Sequence, residues 1–511
     1  MKRTFTLLLL YFIAMTVRAQ DSGFDNSPPA DESQLVYVIR NMDFDIKGRS
    51  RPFALIYHGD FKEGERIQGK ANLDRYMTRK TRMLMNQRVL EEVSMEYTLG
   101  EAEEDGALPV NILIHVKDTW NIIGLPYPQY DSNDGFKFTL KLRDYNFLGT
   151  MSPLRLDFSY QNDTDHRNSF GIMLDSDTPF RAAGLTWNLN FDHELGYTFG
   201  EPLFYQNTTG LSVELPVEST IATIGFNEYI IVNESNSEHD IDKYQLEDDY
   251  FNGAYAATEL FSAFKIPLPL EVWDYGTLSY TPRLAGKIAY RKGGVDEPRR
   301  PLITLSQTLG FGRVNWIDNF RQGLEASVEN GNNFYTAPYD WYIDINANAA
   351  YYHYFNKFFG FSTRLQYRQR INDIFYNAAE PLRGIMNNQI RAEYMLSLNM
   401  DFPFRILRFY PSELFNKPKL HFFDFELHLS PFFDFALAEG YYKKVGSDLY
   451  EDNNFSFSDG FYSGGAELII FPAFMRSLYL RFSLGYNIKK IVEDHRVPKW
   501  DEIFIGMGHH Y

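Results

Sequence analysis

Between residues 418 and 439 this chain alternates two kinds of side chain with little interruption. Odd positions read Phe423, Phe425, Leu427, Leu429, Phe433, Phe435 and Leu437, and even positions include Asp424, Glu426, His428, Ser430 and Asp434. Residues 476–487 repeat the pattern, with Leu478, Leu480, Phe482, Leu484 and Tyr486 set against Tyr479, Arg481, Ser483, Gly485 and Asn487. Successive side chains of a strand point to opposite faces, so each segment has one greasy face and one polar face. The greasy face is continuous and aromatic, while the polar face carries charge. Lipid on one side and a wet lumen on the other would suit such a strand. Strands of a soluble sandwich also alternate, but they are usually shorter, at about 5–6 residues.

The N-terminus points to export. Lys2 and Arg3 precede an apolar run over 5–15, and Val17 and Ala19 then sit three residues and one residue before Gln20. A charged start, a short apolar stretch and small residues before a cut describe a signal peptide, removed after Ala19. As a membrane anchor the run is too short, since a spanning helix needs about 20 apolar residues. No later stretch reaches that length, and the mean hydropathy is -0.36. A helical membrane protein is thereby excluded but a barrel is not, because half of every barrel strand is polar. Aromatic residues make up 17% of the chain, with 44 Phe and 35 Tyr, which fits aromatic girdles at two membrane interfaces. With no cysteine, an exported domain must draw stability from core burial or barrel closure. The net charge of -17 argues against a nucleic-acid partner. Much of the acid is clustered, in 234–249 and 439–459, as solvated loops are.

Five regions follow from this reading: a signal peptide (1–19), a polar tether (20–34), a small mixed domain (35–117), a linker (118–134) and strand after strand over 135–511. The small domain reads as a β-like run over 35–46, a short helix within 52–61 and a second helix. That helix carries a stripe at Leu73, Tyr76, Met77, Lys80 and Leu84. Strands follow over 89–99 and at Val110, Ile112, Ile114 and Val116. The order is β-α-α-β-β. Beyond 135 the segments Phe136–Arg143, Leu154–Tyr160 and 389–402 repeat the alternation. Their number and spacing predict a mainly β fold, a transmembrane antiparallel barrel of about 16 strands. The strand boundaries between Asn207 and Arg291 are the weakest.

A β-α-α-β-β module of this size, exported and followed by a barrel, resembles a polypeptide-transport-associated (POTRA) domain. The mature chain as a whole resembles the BamA/TpsB superfamily of outer-membrane assembly and secretion barrels. Four stretches carry the resemblance. Asn146-Phe147-Leu148-Gly149 matches the Asn-x-Leu-Gly turn after the family's first barrel strand. Leu382-Arg383-Gly384-Ile385 looks like the Val-Arg-Gly-Phe/Tyr loop motif, with Leu and Ile as departures. Phe432-Phe433-Asp434-Phe435-Ala436 looks like the Phe-x-Asp-x-Gly strand motif, with Ala436 where Gly is usual. Gly508-His509-His510-Tyr511 resembles a terminal sorting signal, in which the last strand ends on an aromatic residue. Five strand candidates follow Arg383, as in the family.

The resemblance implies that the Arg383 loop folds into the lumen and meets Asp434, which parity alone places on the polar face. It also implies that Asn399, where relatives often carry Glu, faces inward and leaves Asp434 as the main counter-charge. First and last strands, here about 135–147 and 500–511, would form a weak seam, with Gly506 and Gly508 weakening its last strand. The implied function is insertion or translocation of other polypeptides at the outer membrane, with the small domain in the periplasm receiving clients by strand addition along 89–99. Its partners would be outer-membrane lipid, unfolded client polypeptides and periplasmic accessory proteins. A secretion pore for one cognate protein and a passive-diffusion barrel without clients remain alternatives. No catalytic motif is present: there is no Gly-x-Ser-x-Gly, His-Glu-x-x-His or P-loop. His509 and His510 adjoin on opposite strand faces and cannot chelate together. The reading is therefore of a non-enzyme without metal or cofactor.

Overall fold

A computed structural model describes residues 35–131, 135–162, 167–200, 203–218, 220–233, 253–272, 275–292, 301–336, 339–385, 389–443, 450–488, 491–492 and 503–507. The signal, the tether, the acidic 234–252 stretch, Gly508 and Tyr511 lie outside the described residues. The chain divides into two compact units. One comprises residues up to Asp43 with Lys62–Arg79 and Glu96–Leu113, and the other Phe44–Phe61, Lys80–Met95 and Ile114 onward.

The N-terminal elements are β1 (Val36–Lys47), α1 (Pro52–Gly59), β2 (Arg66–Gln68), α2 (Lys70–Asn86), β3 (Leu90–Leu99) and β4 (Leu108–Asp118). Pro52 suits the first turn of α1, where its missing N–H would be unpaired anyway. Asp60 ends that helix in the left-handed region, at φ 49°. The α2 stripe of Leu73, Tyr76, Met77, Lys80 and Leu84 is buried throughout. Lys80 tolerates burial because its ammonium donates to the Asp60 carbonyl oxygen and lies 5.4 Å from the Phe61 ring centroid. The sheet order is β2-β1-β4-β3, which leaves β3 at an edge. The short β2, pairing Val36 with Gln68, is an addition to the sequence expectation. In the first unit, Arg40 bridges to Glu103 at 2.6 Å and Arg66 to Asp105 at 2.5 Å.

The second unit is dominated by one closed barrel. Its first half runs β5 (Ile122–Asp131), β6 (Gly135–Asp144), β7 (Leu154–Asn162), β8 (Asn168–Ala182), β9 (Leu185–Thr198), β10 (Phe204–Val217), β11 (Thr220–Asn233), β12 (Gly253–Glu271), β13 (Thr277–Lys292) and β14 (Leu302–Ile317). The second half runs β15 (Phe320–Thr336), β16 (Tyr339–Asn356), β17 (Phe359–Ile371), β18 (Ile390–Asp401), β19 (Phe404–Phe409), β20 (Phe425–Lys443), β21 (Tyr450–Asn453), β22 (Phe461–Pro472), β23 (Leu480–Asn487) and β24 (Ile503–Met507). Strands β18 and β19 share one position, since both pair with β20, and β21 and β22 likewise share its other flank. Eighteen positions therefore close the ring among the described residues, an even number but larger than the expected 16 or so.

Burial is inverted relative to a soluble protein. Along β20 the inward Glu426, His428, Ser430 and Asp434 are buried, while Leu429 is exposed. Outside, Phe138, Leu140, Phe158, Ile172, Ile224, Phe226, Leu260, Ile288, Ile303 and Leu365 are exposed. The strand expected to begin at 418 begins at Phe425 instead, and Pro418–Phe423 is a 3-10 turn.

One barrel strand fell in the expected linker. Residues Ile122–Asp131 pair with β6 over their whole length, so the first barrel strand is β5, and 135–144 is the second. Pro126 and Pro128 conceal it, because proline argues against a central strand. Their parity explains the tolerance. Tyr145 N–H donates to the Asn121 carbonyl at 2.8 Å, continuing the β5–β6 register. Odd residues of β5 thus bond to β6, and even residues turn their backbone groups the other way. That other flank is the closing seam with β24. Pro126 and Pro128 therefore offer no donor on the flank that faces β24, whose described residues are Ile503–Met507. The first strand, expected at 135–147, is β5 instead, and it is β5 that neighbours β24. Amide exchange should be faster at Ile122, Gly124 and Tyr130 than at Ile123, Leu125, Tyr127 and Gln129. Nuclear magnetic resonance on the folded barrel measures this, and equal protection of the two sets would contradict the parity.

Candidate functional site

Strand β17 ends at Ile371 and β18 begins at Ile390, and residues 372–385 turn into the barrel. Phe375, Ala378, Ala379, Leu382 and Ile385 pack with Ile390, Ala392, Met395, Ala436, Ala438 and Phe461 in one buried cluster. Backbone bonds hook the segment to β18: Phe375 N–H donates to Ala392 O at 2.8 Å, and Ala378 N–H to Ile390 O at 3.0 Å. Gly384 then approaches the β23 backbone so closely that a Cβ would sit 2.6 Å from the Gly485 carbonyl carbon. It also adopts φ +83°, a conformation that side-chain-bearing residues rarely take. Gly485 is the reciprocal small residue, since its own Cβ would meet the Gly384 nitrogen at 2.9 Å. Ala436, where the motif usually has Gly, is fully buried in this cluster.

This hook delivers Arg383 to a ring of carboxylates. Its Nε and Nη2 donate to the two Asp434 oxygens at 2.9 and 2.6 Å, a planar fork on a planar acceptor. Its backbone N–H adds a third bond to Asp434 at 3.0 Å. Nη1 donates to Asp401 at 2.6 Å and to Glu467 at 3.1 Å. The guanidinium lies 3.7 Å from the centroid of Phe432, one residue of the strand motif. Arg481 reaches Glu467 at 3.3 Å, and Ser483 Oγ donates to the same carboxylate at 2.6 Å. Three buried carboxylates thus share two guanidinium groups. Charges removed from water are tolerated where such bonds replace hydration.

The structure brings Leu382, Arg383, Gly384, Ile385, Phe432, Asp434 and Ala436 together. Asn399 has a different partner from the expected one: its Nδ2 donates to the Pro381 carbonyl at 2.6 Å and so supports the loop backbone. Asp434 is not the main counter-charge by itself, since Asp401 and Glu467 take the other edge of the guanidinium. Asp401, Glu467, Arg481 and Ser483 went unassigned in the sequence. Parity put Asp401 on the inward face, but nothing local linked residues from four strands to one arginine. Gly506 pairs with Arg481 in the β23–β24 ladder, well away from Gly384 in sequence.

The Asn146 motif follows the second barrel strand and holds a junction. Asn146 Nδ2 donates to Ser50 Oγ at 2.9 Å and to Asp118 Oδ2 at 3.0 Å, and Asn146 Oδ1 accepts from Met151 N–H at 2.8 Å. Gly149 is required because a Cβ there would lie 2.2 Å from the Arg49 carbonyl oxygen. Arg88 makes a second junction. It donates to the Arg476 carbonyl and, at 3.1 Å, to Asn319 Oδ1, and stacks 4.1 Å from the Trp316 centroid. Burial, with a lesser push from Arg476, lowers its pKa to about 9. Below these groups, a cavity of about 670 Å³ is lined by Arg405, Arg408, Arg476, Lys357 and Glu426 among others. Among the described residues no three His, Asp or Glu side chains are grouped to hold a metal.

No family model matches the chain, and no curated protein matches it. Solved structures do. A BamA from Haemophilus ducreyi lacking POTRA domains 1–3 shares 14% identity over 92% of this chain and 83% of its own, at a TM-score of 0.36. CdiB from Acinetobacter baumannii shares 13% over 92% and 72%, at 0.46. The FrpB iron transporter from Neisseria meningitidis shares 10% over 87% and 73%, at 0.34. The chain is thus similar to BamA and CdiB barrels at low identity. At such scores function must be read from the site itself.

Truncating the guanidinium strips Asp434 and Asp401 of their cation and leaves Glu467 to Arg481 and Ser483, so Arg383→Ala should cost about 3–5 kcal/mol. Asp434→Ala should cost less, because Asp401 and Glu467 still hold Arg383. The double mutant should fall short of additivity by about 0.5–3 kcal/mol. Urea unfolding from lipid vesicles gives all three values, and additive losses would rule out direct coupling.

Proposed function

We propose that this chain is an outer-membrane barrel that inserts or translocates other polypeptides, with residues 35–117 acting as a periplasmic POTRA-like receiving domain. The inverted burial carries the membrane half of this reading. Leu260, Ile288 and Phe226 are exposed on the outer face while Asp434, Glu467 and Arg383 are buried within. A closed ring of strands with that polarity is the form in which strands can pair their backbone groups in lipid.

The polypeptide half is supported by the filled lumen and the free edge. A passive-diffusion pore wants an open channel, whereas here the 372–385 segment and its arginine occupy the interior. Strand β3 stands at a sheet edge, where an extended segment could add by backbone bonding. The start of that edge is taken already: Arg476 donates to the carbonyls of Leu90 and Glu91, at 3.4 and 3.2 Å. Client addition would therefore use the later residues of β3. The seam between β5 and β24, short of two donors, is where the barrel would part most easily.

The experiment is depletion of this protein followed by proteomics of the outer membrane and the secreted fraction. Loss of several barrel proteins from the membrane is the expected result. Loss of a single secreted protein would favour the one-client pore, and unchanged profiles in both fractions would overturn the transport reading.

A further inference from the structure

The strand ends opposite the long loops are joined by tight turns, for example two residues each at 183–184, 318–319 and 357–358. The connections over 145–153 and 473–479 are longer, and one is longer still. Between β19 and β20, residues 410–424 make a fifteen-residue excursion containing α3 (Pro411–Leu414) and the 3-10 turn Pro418–Phe423. It is a built structure. Asp424, buried at its base, accepts from Ser412 N–H at 3.0 Å, from the Ser412 hydroxyl, and from His421 Nδ1 at 3.0 Å. The Asp424 carbonyl also accepts from Ala473 N–H at 2.9 Å, tying the excursion to the β22–β23 turn.

This rigid base displays apolar side chains outward. Leu414, Phe415, Phe422 and Phe423 are 59–70% exposed, far beyond what a packed loop would leave in water. They continue the exposed apolar face of β19, where Phe404, Ile406 and Phe409 lie. Phe422 stacks on Phe474 with centroids 4.3 Å apart, which fixes its direction. Between the two apolar pairs stand Lys417 and Lys419, both exposed and without an ion pair among the described residues. The two acids of the excursion are accounted for, Glu413 by Arg408 at 2.9 Å and Asp424 by burial, so its exposed unpaired charge is positive in a chain of net charge -17.

We infer that residues 410–424 are a membrane seat: a fixed excursion that enters the phospholipid leaflet at the short-turn end of the barrel and selects anionic headgroups. The inference rests on the membrane-spanning reading given above. Aromatic rings partition to the interface between water and hydrocarbon. Lysines keep their ammonium groups at headgroup level while burying their stems. An apolar face of this kind sits roughly 5–10 Å into the boundary. Such a seat would fix the tilt of the barrel next to the cavity lined by Arg405 and Arg408. Continuity with the β19 face, and two unpaired exposed lysines, favour lipid over a protein occupant.

The absence of cysteine makes site-directed spin labelling unambiguous. Labels at Leu414→Cys and Phe422→Cys are compared with Leu260→Cys on the outer face of β12 and Ala183→Cys in a tight turn. The full-length protein is reconstituted in phosphatidylcholine vesicles with or without phosphatidylglycerol. Labels at 414 and 422 should be more accessible to oxygen than to a soluble nickel complex, as at 260. The label at 183 should show the reverse. Lys417→Glu with Lys419→Glu should make the 414 and 422 labels shallower when phosphatidylglycerol is present and leave them unchanged without it. If 414 and 422 behave like 183 while 260 reads as lipid-exposed, the seat is overturned and a protein partner takes its place. Charge reversal without effect in either vesicle would overturn the anionic selectivity. A nickel-accessible label at 260 would instead overturn the membrane-spanning reading itself.

Discussion

The Arg383 guanidinium is the point on which the interior depends. A barrel this wide would leave a lumen that side chains alone could not fill. Here the chain fills part of it with its own backbone, by turning 372–385 inward. Inward backbone is costly unless every polar group finds a partner. The hook onto β18 supplies backbone partners, and Arg383 supplies the electrostatic ones. Without that cation, three buried carboxylates would be left with Arg481 alone, which reaches only Glu467. Without those carboxylates the arginine would be a desolvated cation. Each side makes the other tolerable, and together they fix the loop against β18, β20, β22 and β23.

The same logic of mutual tolerance recurs at the barrel's short-turn end. Asn146 and Asp118 hold the entry to α1, and Gly149 allows the backbones to approach. Arg88 has no carboxylate of its own and is held by a carbonyl, an amide and the face of Trp316. Its depressed pKa marks the contrast with the lumen site: Arg383 sits among compensating charges, whereas Arg88 is desolvated with little compensation. A contact of the second kind contributes shape and position more than stability.

Much of this was legible in the sequence because strand periodicity survives in the residues themselves. The alternation in 423–437 places Asp434 inward and Leu429 outward without any structure. The stripe through Leu73, Tyr76, Met77, Lys80 and Leu84 gives α2, even with a lysine in it. What escaped has physical reasons. Strand β5 was hidden by Pro126 and Pro128, which are tolerable only because their missing donors face the seam. The 410–424 excursion was partly absorbed into β20, because Phe423 and Asp424 happen to keep the period. The partners of Arg383 were incomplete because convergence of Asp401, Asp434 and Glu467 is a property of the closed ring. Asn399 was assigned by analogy to the arginine, yet its amide supports the loop through Pro381 instead.

The central claim is that the lumen is occluded by a loop that Arg383 holds in place. Conductance across planar lipid bilayers tests it most directly. The native barrel should show small, intermittent currents, and removal of the guanidinium in Arg383→Ala should convert them to larger, longer-lived openings. A large, steady conductance in the native protein, unchanged by that substitution, would contradict the account.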